Sequence, residues 1–322
     1  MSVSGRVEEG ADLRCLSRWR IGGCASGLVE PATAAETRLV LAALAEASLP
    51  VLVVGDGSNL LFDDAGFDGV IVRIGPALSG FRREGRCVWA EAGIWVPRFV
   101  RELGRHGLSG LEHAIGIPGT LGGLIYMNGG SQRKGIGTNI VSVRGCDLRG
   151  NPFERLQAQC AFHYRGSSLQ TDGLIVLEAD LSFSKADPGA IRREMIATLF
   201  DRRRKFPKNL PNCGSVFLSD PAMYSIVGPP GAAIERAGLK GTRLGGAEIS
   251  PIHANFIVNL GQAASSDVLG LVHLARTRVH EETGFWMDCE VRHVAPDGSI
   301  RPAHEAAAEA IATEAHAIEL ET

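Results

Sequence analysis

The sequence predicts an α+β fold in two domains, and three observations carry that prediction. With 322 residues, 45% of them hydrophobic, the chain can bury two cores. Short apolar runs bounded by turn residues interleave with segments of helical period over roughly the first half. A charged helix between Asp187 and Lys205 then separates that region from one with its own apolar helical stripe. The expected layout is a domain over residues 16–186, a smaller α+β domain over 187–300, and an Ala/Glu-rich tail over 301–322.

Each element follows from a local signal. Residues up to about Arg14 show no period and read as a loose arm. Thr33-Ala-Ala-Glu36 is a capping-box pattern that opens a helix through Leu39, Ala43 and Leu44. Val51–Val54 and Val70–Ile74 read as short buried strands, and Cys87–Ala92 as another. Pro97 suits the first turn of a helix reaching about His106. Gly116–Gly137 is too rich in glycine to be regular throughout, and strands are expected at Ile140–Asp147 and Leu174–Phe183. Asp187-Pro188 starts a helix that ends in Arg202-Arg-Arg-Lys205, before Pro207. Beyond it come a strand at Phe256–Val258, a helix capped by Ser266 with Val268, Leu271, Val272, Ala275 and Val279 on one face, a stop at Gly284, and a strand at Cys289–Val294. The tail after Pro302 reads as a solvated helix or irregular chain, and no internal repeat is visible.

Composition excludes several function classes. A net charge of −3 gives no basic stripe for nucleic acid or an anionic membrane surface. No apolar run approaches the length of a membrane span, and the N-terminus lacks an apolar signal core. The seven cysteines are scattered, odd in number and form no C-x-x-C pair, so neither a disulfide framework nor a metal site is expected. These points read as a cytoplasmic protein, with no protein partner implied.

Two glycine-rich segments carry chemistry. Gly55-Asp-Gly-Ser-Asn59 follows a strand, and its glycines let backbone N–H groups approach a phosphate with no Cβ in the way. It lacks the third glycine of a dinucleotide fingerprint, so a plain tight turn accounts for it equally well. Gly116-Ile-Pro-Gly-Thr120-Leu-Gly-Gly123, followed by Met127-Asn128, clusters glycines around a fixed proline, and a Gly-rich turn at a domain seam is its bland alternative.

The order of these two segments resembles the FAD-binding domain of vanillyl-alcohol-oxidase-type flavoproteins, also called the PCMH type. More narrowly, the chain resembles the UDP-N-acetylenolpyruvoylglucosamine reductases, or MurB family. The likeness runs from Arg20-Ile-Gly-Gly23 to Glu290-Val-Arg292 through Gly107-Leu-Ser-Gly-Leu-Glu112, Tyr164-Arg165, Gly214-Ser-Val-Phe217, Ala237-Gly-Leu-Lys-Gly241 and His253-Ala-Asn-Phe-Ile-Val-Asn259. The resemblance implies non-covalent FAD held by Gly57, Ser58, Asn59, Gly116, Pro118, Gly119, Thr120, Gly122, Gly123 and Asn128. His113 and His163 stand in no flavin-attachment context. It also implies a reaction in two halves, in which NADPH reduces FAD and an enolpyruvyl sugar nucleotide is then reduced, in peptidoglycan precursor synthesis for cell-wall biogenesis.

Such chemistry needs a positive clamp on the enolpyruvyl carboxylate and a positioned acid. The resemblance assigns the clamp to Arg165, the proton donor to Ser215 and a polarising carboxylate to Glu290. It assigns Arg202 and Lys205 to the nucleotide phosphates and His253 to a substrate contact. Taken alone, each has a bland reading as a surface arginine, a turn serine, a solvated glutamate or a basic helix end. Two segments depart from the family pattern: Gly129-Gly-Ser-Gln-Arg-Lys134 is more basic, and where the family reads Phe-Lys-Asn-Pro, Phe217 is followed here by Leu218-Ser-Asp-Pro221. They keep open a paralogous FAD reductase with another unsaturated nucleotide substrate in a secondary or surface-polysaccharide pathway, and a non-catalytic flavin-binding protein.

Overall fold

A computed structural model describes residues 3–219 and 221–310. The chain forms two compact units, each drawn from three segments. The first takes the chain up to Ala11, Ser26–Asp56 and Gly69–Arg204; the second takes Asp12–Ala25, Gly57–Asp68 and the chain from Lys205 onward. Both mix helices and sheets, as expected for α+β.

The first unit is built on a five-stranded antiparallel sheet in the order Pro152–Leu156, Ile140–Cys146, Ile175–Ser182, Cys87–Glu91, Phe81–Glu84. Ile175–Ser182 alternates, with Val176, Leu177, Ala179 and Leu181 in the core and Glu178 and Asp180 outside it. Those two carboxylates meet Arg144 of the neighbouring strand, at 3.3 and 2.7 Å. Helix Val96–Arg105 carries Pro97 in its first turn and buries Phe99, Val100 and Leu103 in the same core. Helix Ala34–Glu46 starts where the sequence places it, with Thr33 Oγ1 accepting from Glu36 N. The reciprocal half of the capping box differs: Glu36 accepts from Ala32 N, one residue before the cap.

The N-terminal arm is a correction. Arg6–Asp12 is the edge strand of a four-stranded sheet, next to Cys24–Glu30, followed by Phe67–Arg73 and Val51–Val54. The last two strands run parallel, Val51 opposite Val70. An edge strand held by backbone pairing and largely exposed needs no apolar alternation, so Arg-Val-Glu-Glu-Gly gave no period to read.

In the second unit, helix Ser265–Thr283 buries Val268, Leu271, Val272, Ala275 and Val279, the stripe read from the sequence, and ends at Gly284 in the left-handed conformation. Its N-cap is Ala264 rather than Ser266. The Asp267 carboxylate accepts from Ala264 N and Gly246 N, and Ser265 turns its hydroxyl to Asp64. Trp19 is fully buried here; its indole N–H donates to Ile257 O at 2.7 Å, and Asn259 Nδ2 donates to its carbonyl at 2.9 Å. Strand Leu60–Phe62 lies parallel to Arg292–Val294, which pairs antiparallel with Ile300–Pro302. The described part of the tail is helical over 303–310, and Ala303, Ala306 and Ala307 are buried in the core rather than solvated. Alanine hides the difference, since it reads the same on a wet or a dry face. The tail beyond 310 lies outside the described residues.

Candidate active site

The first glycine loop starts in the first unit and finishes in the second. At Gly55 a Cβ would stand 2.4 Å from Thr120 Oγ1, so only glycine lets the strand end pass under that hydroxyl. Gly57 has φ +60°, and a Cβ there would meet Leu16 O at 1.8 Å. The Gly57 carbonyl accepts from Arg18 N at 3.4 Å and from Cys213 Sγ at 3.6 Å. Because the peptide is trans and planar, the Ser58 N–H faces away from Cys213, and Ser58 is half-buried. Burial pushes the Cys213 thiol up to about 12, so it serves as an inert pin rather than a nucleophile.

The second loop is buttressed from behind. Val96 N donates to Gly119 O, Leu121 N to Ile94 O and Gly122 N to Ala92 O, at 2.8–3.0 Å. The same peptide geometry turns the Thr120 N–H away from Val96. Gly119 has φ +145°, and Gly122 packs so tightly that a Cβ would lie 2.8 Å from Ala92 Cβ. Thr120 caps helix Leu121–Tyr126. Gly123 is exposed, and a Cβ there would touch only Thr120 Oγ1, at 3.5 Å. Within the first unit, the turned-out Thr120 N–H, its hydroxyl and the uncrowded Gly123 face suit a phosphate of FAD. Pro118 is exposed at the tip of the loop.

Asn128 has φ +42° and uses its side chain within the first unit: Nδ2 donates to His163 O at 2.7 Å and Oδ1 accepts from Gly137 N at 2.9 Å. It thereby holds the turn His163–Gly166, closed by reciprocal backbone bonds between its end residues. Arg165 occupies that turn at φ +55°, over the Tyr164 ring, with Nη1 donating to Gly130 O at 3.1 Å. Arg202 lies along Gly116, where a Cβ would meet its Cδ and Nε at 2.5 Å. Burial and the charge of Arg165 both lower the Arg202 pKa. The structure therefore gathers Gly116, Asn128, Arg165 and Arg202 in one electropositive region.

His113, which the sequence left without a role, is buried at its rim. Its Nδ1 accepts from Ser131 N at 3.3 Å, and Ser131 Oγ donates to its carbonyl, tying down the basic segment Gly129–Lys134. Burial first, then Lys134, with Arg165 acting the same way and Glu112 opposing, push its pKa from 6.5 to about 4.

The second unit gathers Ser215 and Glu290. Gly214 has φ +82° with open space around it, and Val216 N donates to Asn255 O at 2.9 Å. The buried Asn255 side chain grips Phe217 twice, accepting from its N–H at 2.8 Å and donating to its C=O at 2.9 Å. Glu290 N donates to Val216 O at 2.8 Å, so the carboxylate residue is strapped to the serine segment. Asn255 is a positioning residue that motif reading passed over; an amide two residues past His253 in a buried strand entry was the available signal. Asn59 Nδ2 donates to Glu290 O at 3.0 Å. Lys205 is exposed. His253 packs against both Phe206 and Phe256, at 5.3 and 5.1 Å, its Nδ1 accepts from Asn255 N, and burial lowers its pKa.

Comparison with known proteins agrees with this picture. Residues 25–153 match the FAD binding domain family, and residues 206–294 match the C-terminal domain of UDP-N-acetylenolpyruvoylglucosamine reductase. The fold and site thus define an FAD-binding oxidoreductase. The chain is 49% identical to UDP-N-acetylenolpyruvoylglucosamine reductase 1 of Corynebacterium glutamicum, over 92% of this chain and 89% of that one. It is 40% identical to the reductase of Synechococcus sp. strain CC9605, over 88% and 94%. The crystal structure of the Thermus caldophilus reductase, MurB, superposes with a TM-score of 0.76 at 33% identity, covering 90% of this chain and 99% of that one. The chain belongs to the UDP-N-acetylenolpyruvoylglucosamine reductase family.

Two predictions follow from this geometry. Gly57→Ala forces a side chain into left-handed backbone and onto the Leu16 carbonyl; it is expected to cost at least about 1–3 kcal/mol in urea unfolding and to weaken FAD retention. A wild-type urea midpoint and FAD affinity in the variant would contradict the pinned-loop geometry. His113 is held neutral, so the stability it contributes is complete above its unfolded pKa of 6.5 and is lost as pH falls toward about 4. His113→Asn keeps an acceptor without titrating and should lose less of its urea midpoint between neutral pH and pH 5 than the parent; parallel losses would remove His113 from the acid response.

Proposed function

We propose that the protein catalyses FAD-dependent, NADPH-consuming reduction of UDP-N-acetylenolpyruvoylglucosamine to UDP-N-acetylmuramate, a step of peptidoglycan precursor synthesis. The observation that carries this reading is the 49% identity with a reductase of that name across nine-tenths of both chains. Near-complete coverage with both family domains present also favours the housekeeping reaction over a paralogue with another substrate. FAD, when bound, supplies the relay of hydride from NADPH to the vinyl carbon of the substrate.

The chain's residues do the rest. Ser58, Thr120 and the backbone of Gly57, Gly116, Gly119, Gly122 and Gly123 cradle the cofactor, with Pro118 fixing the loop and Asn128 holding its neighbouring turn. Arg165 clamps the enolpyruvyl carboxylate, where negative charge grows as hydride adds to the terminal carbon. Ser215 donates its proton to the adjacent carbon, which balances the addition, and Glu290 polarises the substrate and helps return a proton to the serine. A serine hydroxyl is a poor acid, so it relies on nearby positive charge and hydrogen bonds. Arg202 and Lys205 answer the nucleotide phosphates, and His253 offers a neutral ring to the substrate. Among the described residues no helix is long and apolar enough to cross a membrane. Both proposed substrates are water-soluble nucleotides, which fits a cytoplasmic enzyme.

The purified protein is expected to be yellow and to oxidise NADPH in proportion to added UDP-N-acetylenolpyruvoylglucosamine. Reduction of the flavin with no response to that nucleotide would point to a different unsaturated substrate. Ser215→Ala is expected to leave flavin reduction by NADPH intact and to slow reoxidation by the sugar nucleotide about 10²–10⁴-fold. Equal loss in both halves would remove Ser215 as proton donor.

A further inference from the structure

We infer that Asn59 is a positioning residue for Glu290 and acts in the substrate-reduction half of the cycle, rather than as a ligand to a cofactor phosphate. The inference rests on the functional reading above. Its place in Gly57-Ser58-Asn59 suggests a phosphate contact, yet its side-chain amide donates to the strand of Glu290. Asn59 Nδ2 donates to Glu290 O at 3.0 Å, and Asn59 O accepts from Arg292 N at 3.1 Å. Asn59 therefore engages the carboxylate strand at two points, one on each side of Val291. The engagement continues as a ladder, since Leu60 pairs with Arg292, Leu61 with His293 and Phe62 with Val294.

Glu290 is held at both of its backbone polar groups. Its N–H donates to Val216 O at 2.8 Å, and its C=O accepts from Asn59. Those two bonds fix the peptide planes on either side of its Cα, and with them the direction in which the side chain leaves the backbone. One bond reaches the residue after Ser215 and the other reaches the glycine loop, so Asn59 completes the frame that sets Glu290 against Ser215. Cys213 joins the same frame, its single S–H shared between Gly57 O and Leu60 O at 3.6 and 3.5 Å. The loop is thus split: the Ser58 N–H turns away from the pinned Gly57 carbonyl, and the Asn59 amide reaches the strand of Glu290.

Four forms test this: the parent, Asn59→Ala, Glu290→Gln, and the double variant, with Asn59→Asp as a second way to remove the donor. FAD affinity, the rate of flavin reduction by NADPH, and the rate of reoxidation by UDP-N-acetylenolpyruvoylglucosamine are read separately. Asn59→Ala and Asn59→Asp are expected to keep FAD affinity and flavin reduction within about twofold and to slow reoxidation about 10- to 100-fold. In the Glu290→Gln background, Asn59→Ala is expected to add no further loss, because both substitutions remove the same term. Two results would overturn the inference: a tenfold or greater fall in FAD affinity with reoxidation intact at saturating FAD, or losses that multiply in the double variant. If the reduced parent protein is not reoxidised by the sugar nucleotide, the functional reading falls and this inference with it. If the parent is reoxidised and the variants behave otherwise than expected, only the inference falls.

Discussion

The second unit is organised by the Leu16 carbonyl, which occupies the space a side chain at Gly57 would need. Leu16 stands in the segment that ends in Trp19, and Trp19 is fixed by hydrogen bonds to Ile257 and Asn259 in the core. The loop therefore takes its shape from buried structure. The pinned Gly57 carbonyl turns the next N–H outward, and the chain runs directly into Leu60–Phe62, whose partner strand follows Glu290. A single left-handed glycine thus sets the direction of the next peptide on one side and leads into the partner of the Glu290 strand on the other. Proteins often place such backbone conformations at functional sites, where the surrounding contacts must over-determine them.

The first unit solves a similar problem by other means. Its glycine loop is held by backbone bonds to Ala92, Ile94 and Val96 and is uncrowded at Gly123. Arg165 is aimed by a turn that Asn128 grips, and it is supported by Gly130. Burial first, and then the charge of Arg165, lower the Arg202 pKa, with Asp201 acting the other way. His113 contributes by staying neutral: a protonated ring would lose its acceptor for Ser131 and add a further positive charge beside Lys134 and Arg165.

Much of the secondary structure was legible because it obeys periods. The stripe of helix Ser265–Thr283, the alternation of Ile175–Ser182, and the Thr33 and Gly284 signals each record a local requirement that residue type alone satisfies. The misreadings share the opposite character. Arg6–Asp12 is a strand because a neighbour supplies hydrogen bonds, and nothing in its side chains advertises that. Ser266 had the right chemistry for a cap, but Asp267 took the cap position's N–H and Ser265 was drawn to Asp64. The alanines at 303, 306 and 307 became core because a surface was there to receive them.

The sequence by itself determined which chemistry the protein carries. Glycine where a Cβ has no room, a permanently charged arginine beside a glycine-rich loop, and an ordered set of motifs are properties of residue type and spacing, and those survive in a linear string. Tertiary structure alone decided which groups those residues address. Asn59 and Asn128 look alike beside two glycine-rich loops, yet one amide reaches Glu290, 231 positions away, and the other reaches His163. The segments Asp12–Ala25 and Gly57–Asp68 likewise joined the second unit without a composition signal. The physical reason is common to both: a hydrogen bond is specified by the position and direction of two partners, and only the folded chain fixes where the second partner stands.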